Sequence, residues 1–443
     1  MNRTLTDTDI RSASAALDPA LTKFTSRFPG ESGARQPVHT VYGGAHLFKS
    51  DTTQKLGALA LRALDEYGPN AETFGSAIGA DPRFWDVVYT RVVEKLRREP
   101  VEDFRIDFED GYGNRADDEE DGHAAAAATE VAAGMKNGTL PPFIGIRIKQ
   151  FSQELMPRAI RTMDIFVSTL LDAAGALPPH FVVTLPKIQL PQQVTALADL
   201  FDALEPKLGL SKHGLRFEFM IETTQAILSE NGVSNLPLFL DAARGRAVAA
   251  HFGTYDYTAS CNITAEHQRM DHPACDFARH MMQVAYAGTG LWLSDGATNI
   301  MPIAPHRGNL TPEQAAENRS IVHRAWRLHV DHIRHSLINA YYQGWDLNPA
   351  QLPTRYAAVY SFFLEGLHAA TERLHAFIAK SGQATLVGDV FDDAATGQGL
   401  LNYFLRALNC GAITEDEALA SGLTLDELRS RSFVKIMKGR RER

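Results

Sequence analysis

The chain reads as an α/β protein, a closed (β/α)₈ barrel of the TIM type followed by a C-terminal helical cap. Three observations predict this. From Val38 onward, short apolar runs alternate with longer helical stretches, the order of a parallel sheet with crossover helices. Eight such runs are present, which suits closure into a barrel better than an open sheet. Several of them end in acidic residues, and barrel enzymes carry their chemistry at the C-terminal ends of the strands.

The elements follow in order. Residues 1–35 form an N-terminal extension with an amphipathic helix, Asp9 to Phe28, and a Pro- and Gly-rich loop. Residues 36–353 are assigned to the barrel. Its strands are expected at Val38–Tyr42, Asp103–Phe108, Phe143–Ile148 and Phe181–Leu185, then at Leu215–Ile221, Ala247–Phe252, Leu291–Leu293 and Trp345–Leu347. Helices are expected between them at Leu56–Tyr67, Ala124–Met135, Pro157–Ala174, Gln192–Leu208, Asp276–Ala287 and Glu313–Tyr342. The acidic run Asp117–Asp121 precedes alanine-rich Ala124–Ala128, so it reads as a solvated helix start. After Pro353 no further strand is expected. Residues 354–443 form the helical cap, with helices at Arg355–Lys380, Gly397–Leu408 and Glu415–Ser421.

Bulk composition narrows the partners. With 443 residues, 44% of them hydrophobic and 22% charged, the chain is that of a soluble globular protein. Its net charge of −9 argues against nucleic acid or an anionic membrane surface. Cys261, Cys275 and Cys410 lack metal-ligand spacing and read as reduced thiols. Met1–Ser12 has no apolar core of a signal peptide, and no run approaches the roughly 18 apolar residues of a membrane span. A cytoplasmic location is expected.

Chemistry concentrates at strand ends. In Asp103–Asp110 the alternation puts Phe104, Ile106 and Phe108 on one face and Arg105, Asp107 and Glu109 on the other. Ile221-Glu222-Thr223 and Phe252-Gly253-Thr254-Tyr255-Asp256 repeat the arrangement of an apolar strand closed by an acid. Three such ends gather like charges, and a divalent cation gives them a common purpose, because Mg²⁺ takes one or two carboxylates and leaves other positions to water and substrate. A helix-capping or first-turn role is the alternative for each acid alone. Arg147 lies among isoleucines in Ile144–Ile148, so it is either a structural ion pair or a substrate clamp. Lys187, just past the fourth strand, is either a surface lysine or a ligand for an anionic group.

The ordered set Asp107-Phe108-Glu109-Asp110, Leu185-Pro186-Lys187, Ile221-Glu222-Thr223 and Phe252–Tyr257 resembles the citrate lyase β-subunit and malyl-CoA lyase superfamily, which includes pyruvate aldolases of the HpcH/HpaI type. Gly344–Gln351 looks like that superfamily's final strand motif, with Asn348 where His is usual. Val390–Thr396 resembles the malate synthase segment whose aspartate is the catalytic base, which aligns Asp393 with that base. A capping pair, Asp392-Asp393, before a helix is the alternative there.

The resemblance implies Mg²⁺ or Mn²⁺ held by Glu222 and Asp256, with a 2-oxo acid such as glyoxylate or pyruvate bound to it. It implies that Arg147 stabilises an enolate and that Asp107, Glu109 and Asp110 hold metal-bound waters or fix Arg147. Backbone N–H groups of Gly253, Thr254 and Tyr255 would receive the substrate carboxylate. It further implies a homo-oligomer and an acyl-CoA as possible second substrate. A class II pyruvate aldolase using an aldehyde, and a non-catalytic barrel that binds 2-oxo acids, are the alternatives.

Overall fold

A computed structural model describes residues 3–30, 33–379, 385–387, 390–392, 394–430 and 432–441. Eight parallel strands close in sequence order. They are β1 (His39–Gly44), β2 (Asp103–Asp107), β3 (Phe143–Arg147), β4 (Val182–Leu185), β5 (Arg216–Ile221), β6 (Ala247–Phe252), β7 (Trp292–Ala297) and β8 (Gln343–Asp346). Pairing of His39 with Gly344 and of Val41 with Asp346 joins β1 to β8 and closes the cylinder.

Helix α1 (Asp7–Arg27) precedes the barrel. Three helices, not the single expected one, connect β1 to β2: α2 (Thr52–Tyr67), α3 (Ala71–Ile78) and α4 (Trp85–Arg98). One helix each follows β2, β3 and β4, namely α5 (Asp117–Asn137), α6 (Met156–Ala174) and α7 (Pro191–Lys207). Short α8 (Thr224–Ile227) and α9 (Leu236–Ala242) follow β5, and α10 (Thr254–Ser260) and α11 (Pro273–Tyr286) follow β6. Long α12 (Pro312–Ile338) and α13 (Leu352–Ala379) follow β7 and β8 and pack on each other. The chain then runs through α14 (Ala394–Asn409), α15 (Glu415–Leu419), α16 (Leu425–Arg429) and α17 (Phe433–Arg441).

The acidic run does start α5, with Asp117, Asp118, Glu119 and Glu120 in the first turn, where they meet the positive end of the helix dipole. Two expectations need correction. Strand β7 continues past Leu293 to Ala297, because Ser294 and Asp295 are buried polar residues that a hydrophobicity pattern takes for a loop. Arg279 and Ser336 satisfy Asp295 there. Strands also reappear after Pro353: β9 (Thr385–Val387) and β10 (Val390–Asp392) pair antiparallel, each too short to display a period-two pattern.

Strand β2 fulfils its alternation. Phe104, Ile106 and Phe108 point to the helical layer, while Asp103, Arg105 and Asp107 line the barrel interior, all of them buried. That interior is polar in its lower half. The Arg105 guanidinium donates to both Glu218 oxygens at 2.7 and 2.8 Å, and Thr184 and His251 reach the same carboxylate. Gly145 on β3 is required by the neighbouring strand, since a Cβ there would lie 2.2 Å from the Val182 carbonyl oxygen. Among the described residues no helix is long and apolar enough to cross a membrane.

Candidate active site

The upper mouth of the barrel collects most of the residues singled out from the sequence. Asp107 ends β2 and Arg147 ends β3, in register with each other. The Arg147 Nε and Nη2 donate to the two Asp107 oxygens at 2.7 and 2.6 Å. Asp107 is itself held by the backbone N–H groups of Glu109 and Gly111, at 3.0 and 2.8 Å. The third Arg147 nitrogen, Nη1, lies 3.2 Å from Glu109. The guanidinium rests over the rings of Tyr42 and Trp345, 4.7 and 5.5 Å from their centroids. Burial works against its charge, but Asp107 and Glu109 outweigh burial and hold it protonated. Arg147 is therefore both an ion pair and a preorganised donor.

Lys187 follows β4 with a φ of 51°, a left-handed conformation uncommon outside glycine. This turn aims its backbone N–H at Glu222, 2.7 Å away, and sends its side chain over the mouth. There the ammonium contacts Glu109 and lies 3.0 Å from Asp110 and 3.6 Å from Asp256. Lys187, expected as a surface or anion-binding lysine, is here the counter-ion of three carboxylates. Burial opposes its charge, yet Glu222 and Glu109 outweigh burial and raise its pKa.

Glu222 stands just beyond β5, 1% exposed, whereas Asp256 in the first turn of α10 has a side chain 43% exposed. Burial, then repulsion from Asp256, pushes the Glu222 carboxyl up to about 8. Burial also raises the Glu109 carboxyl. Among the described residues no group of three or more His, Cys, Asp or Glu closes on a single point as a metal cage. Mg²⁺ does not need one; two carboxylates beside water and substrate suffice. A buried carboxylate and an exposed one that repel each other are hard oxygen donors, so Glu222 and Asp256 fit a divalent cation.

Gly253 lies directly beside Glu222. A Cβ there would come 2.4 Å from Glu222 Oε2, so the close approach demands glycine. Its N–H is occupied, donating to the Ile221 carbonyl at 3.0 Å, which removes one of the three amides expected to bind substrate. Thr254 and Tyr255 open α10, where first-turn amides have no acceptor within the helix. Their side chains are structural: the Tyr255 hydroxyl donates to Ala297 at 2.6 Å and accepts from the Asn299 N–H at 3.0 Å, while Thr254 is buried. Asn348 accepts from the Ala350 N–H at 2.9 Å and caps a turn.

Asp393 lies outside the described residues, and of the neighbouring Asp392 only the backbone, in β10, is described. Three mouth residues escaped the sequence reading. Tyr42 and Trp345 form the floor under Arg147, and their inward position follows from strand alternation once register is known. His46 comes just after β1, and its Nδ1 is buried with no hydrogen-bond partner among the described residues. Burial lowers its pKa, so the ring is neutral near pH 7. The Gly43-Gly44-Ala45-His46 turn at a strand end was the available signal.

Residues 17–436 match a family described as Domain of unknown function (DUF6986). The chain belongs to that family. No curated protein matches it by sequence. Among solved structures it is similar to a citrate lyase from Burkholderia xenovorans LB400, with 17% identity over 88% of this chain and 100% of that one, at a TM-score of 0.57. It is also similar to the CitE protein of Mycobacterium tuberculosis in complex with magnesium, acetoacetate and coenzyme A, with 14% identity over 86% of this chain and 100% of that one, at a TM-score of 0.49. A Haloferax volcanii malate synthase with magnesium and glyoxylate matches at 14% identity over 91% and 97% of the two chains, TM-score 0.47. At such identities the likeness is one of fold.

Proposed function

We propose that the protein is a divalent-metal-dependent carbon–carbon lyase or synthase that works through an enolate on a 2-oxo acid such as glyoxylate or pyruvate. The observation that carries this reading is the gathering of Glu222, Asp256 and Glu109 around one ammonium, Lys187, beside the pinned guanidinium of Arg147. Glu222 and Asp256 would hold Mg²⁺ or Mn²⁺. When bound, the ion supplies Lewis acidity to the keto oxygen and orients the 2-oxo acid. The first-turn amides of Thr254 and Tyr255 receive the substrate carboxylate. Arg147 donates to the oxygen on which enolate charge develops, and its fixed position means little reorganisation is needed when charge appears. Asp107 is the group that fixes it. Asp393 is the base that takes a proton from the methyl carbon of the second substrate, an acyl-CoA; this assignment rests on the Val390–Thr396 motif.

A second reading is a class II pyruvate aldolase, in which pyruvate itself becomes the enolate and attacks an aldehyde. The base it requires would be His46, an imidazole that follows β1 at the same end of the barrel and packs beside Tyr112 and His123. The test incubates the protein and Mg²⁺ with glyoxylate or pyruvate, paired with acyl-CoA esters or aldehydes, and reads products and deuterium uptake from D₂O by mass spectrometry. The first reading expects uptake at the acyl-CoA methyl group and its loss in Asp393→Asn, by about 10²–10⁴-fold. Uptake at the pyruvate methyl that survives Asp393→Asn and is lost in His46→Gln selects the aldolase. No turnover with any pair overturns both.

A further inference from the structure

We propose that α1 is a dimerisation arm that pairs antiparallel with α1 of a second copy of this chain. None of the residues of α1 is buried, yet the helix carries a continuous apolar stripe. Ile10, Leu17, Leu21 and Phe24 are 44%, 53%, 48% and 61% exposed. With Phe28 they recur at intervals of seven, four, three and four residues, the spacing of one helix face. Small residues, Ala13, Ser14 and Ala20, lie between them and allow a second helix to approach closely. Pro19 falls on the opposite face and leaves the stripe uninterrupted. A solitary helix of this length is marginal in water, and packing of its apolar face is what ordinarily stabilises one. The base of α1 is already fixed, since Arg27 pairs with Asp241 and the Gly30 N–H donates to the Gly288 carbonyl at 2.8 Å.

The occupant follows from charge. Arg11 and Asp18 flank one edge of the stripe, and neither has an oppositely charged partner within the described residues of its own chain. In an antiparallel pair with Ile10 against the partner's Leu21, and Ser14 against the partner's Leu17, Arg11 meets the partner's Asp18. Two-fold symmetry makes this contact twice. A parallel pair sets Arg11 against the partner's Thr6 and Asp18 against the partner's Ala13, with no charge matched. The antiparallel register shifted by one heptad brings Asp18 onto the partner's Asp18. Of these arrangements only the first matches both charges, and it packs Ile10, Ser14, Leu17 and Leu21 of the stripe across the two helices.

The experiment is sedimentation velocity on the full chain over a range of concentrations. The wild type is expected to dimerise reversibly, and Leu17→Glu with Leu21→Glu to be monomeric with the near-ultraviolet circular dichroism of the barrel unchanged, since both residues are exposed. Arg11→Asp and Asp18→Arg each replace two attractions by two repulsions and are expected to raise the dissociation constant roughly tenfold. The double variant Arg11→Asp/Asp18→Arg is expected to return it to the wild-type value. A wild type that stays monomeric overturns the proposal. So does an oligomer indifferent to Leu17→Glu/Leu21→Glu, or a double variant no better than the singles.

Discussion

Two carboxylates of β5 and its C-terminal edge, Glu218 and Glu222, both face the barrel axis and are both buried, but they have opposite electrostatic fates. Burial works against the charge of each. For Glu218 the Arg105 fork, His251 and Thr184 outweigh burial and hold its carboxyl well below the usual range. Glu222 has the Lys187 backbone N–H and a shared ammonium against repulsion from Asp256 and Glu109, and its carboxyl rises to about 8. The lower layer is an ion network built to balance, in which Asp103, pushed up by burial, carries the residual cost. The upper layer is short of a cation. On the reading proposed above, this difference separates a charge that holds the barrel together from one that serves the site.

The largest expected effect lies in the upper layer. Glu222→Gln and Asp256→Asn should each abolish turnover, with heat of Mg²⁺ binding lost in calorimetry and far-ultraviolet circular dichroism unchanged. Full activity in excess EDTA would erase the distinction drawn between the layers. Glu218→Ala should do the reverse and strike stability. It leaves Arg105 buried with one acid fewer, a loss of about 3–5 kcal/mol that denaturant melts would read. A melt close to wild type would mean that the lower network contributes little.

Arg147→Lys comes next. It keeps the charge but loses the fork on Asp107 and the flat contact with Tyr42 and Trp345, so the rate should fall on the order of 10²-fold at similar stability. A variant within a few-fold of wild type would make Arg147 structural, like Arg105.

The smallest effect is the most specific. Because the folded pKa of Glu222 is raised, its contribution to stability is full below its ordinary 4.5 and is lost as pH climbs through about 8. On the proposed reading Mg²⁺ binds the ionised form. The melting temperature gained on adding Mg²⁺ should therefore be larger at pH 9 than at pH 6, by roughly 1 °C for each kcal/mol recovered in a chain of this length. Glu222→Gln should flatten that dependence.

The sequence made the barrel legible because its strands obey two clear rules. Ala247–Phe252 is apolar except for His251 and is delimited to the residue, and Asp103–Phe108 alternates cleanly. What hid β7 was burial of polar groups in partnership with α11 and α12, a tertiary fact with no local trace. The acids of the mouth were found because each closes a strand. The ion pairs of Lys187 were not, since an ammonium reaching three acids from two other strand ends depends on a left-handed turn that a Leu-Pro-Lys sequence does not announce. Tyr42 and Trp345 were missed for a similar reason: which aromatic lies under Arg147 depends on register across the β1–β8 seam.

The contact between Gly253 and Glu222 ties two positions on separate strands into one hereditary unit. With Glu222 Oε2 and Cβ at 2.4 and 2.5 Å from where a methyl group would start, even alanine at 253 must displace the acid or the strand that bears it. Drift at either site is therefore not free. Chains that retain a carboxylate at 222 must keep position 253 bare, and a side chain appearing at 253 marks a lineage whose mouth no longer has the geometry described for this one.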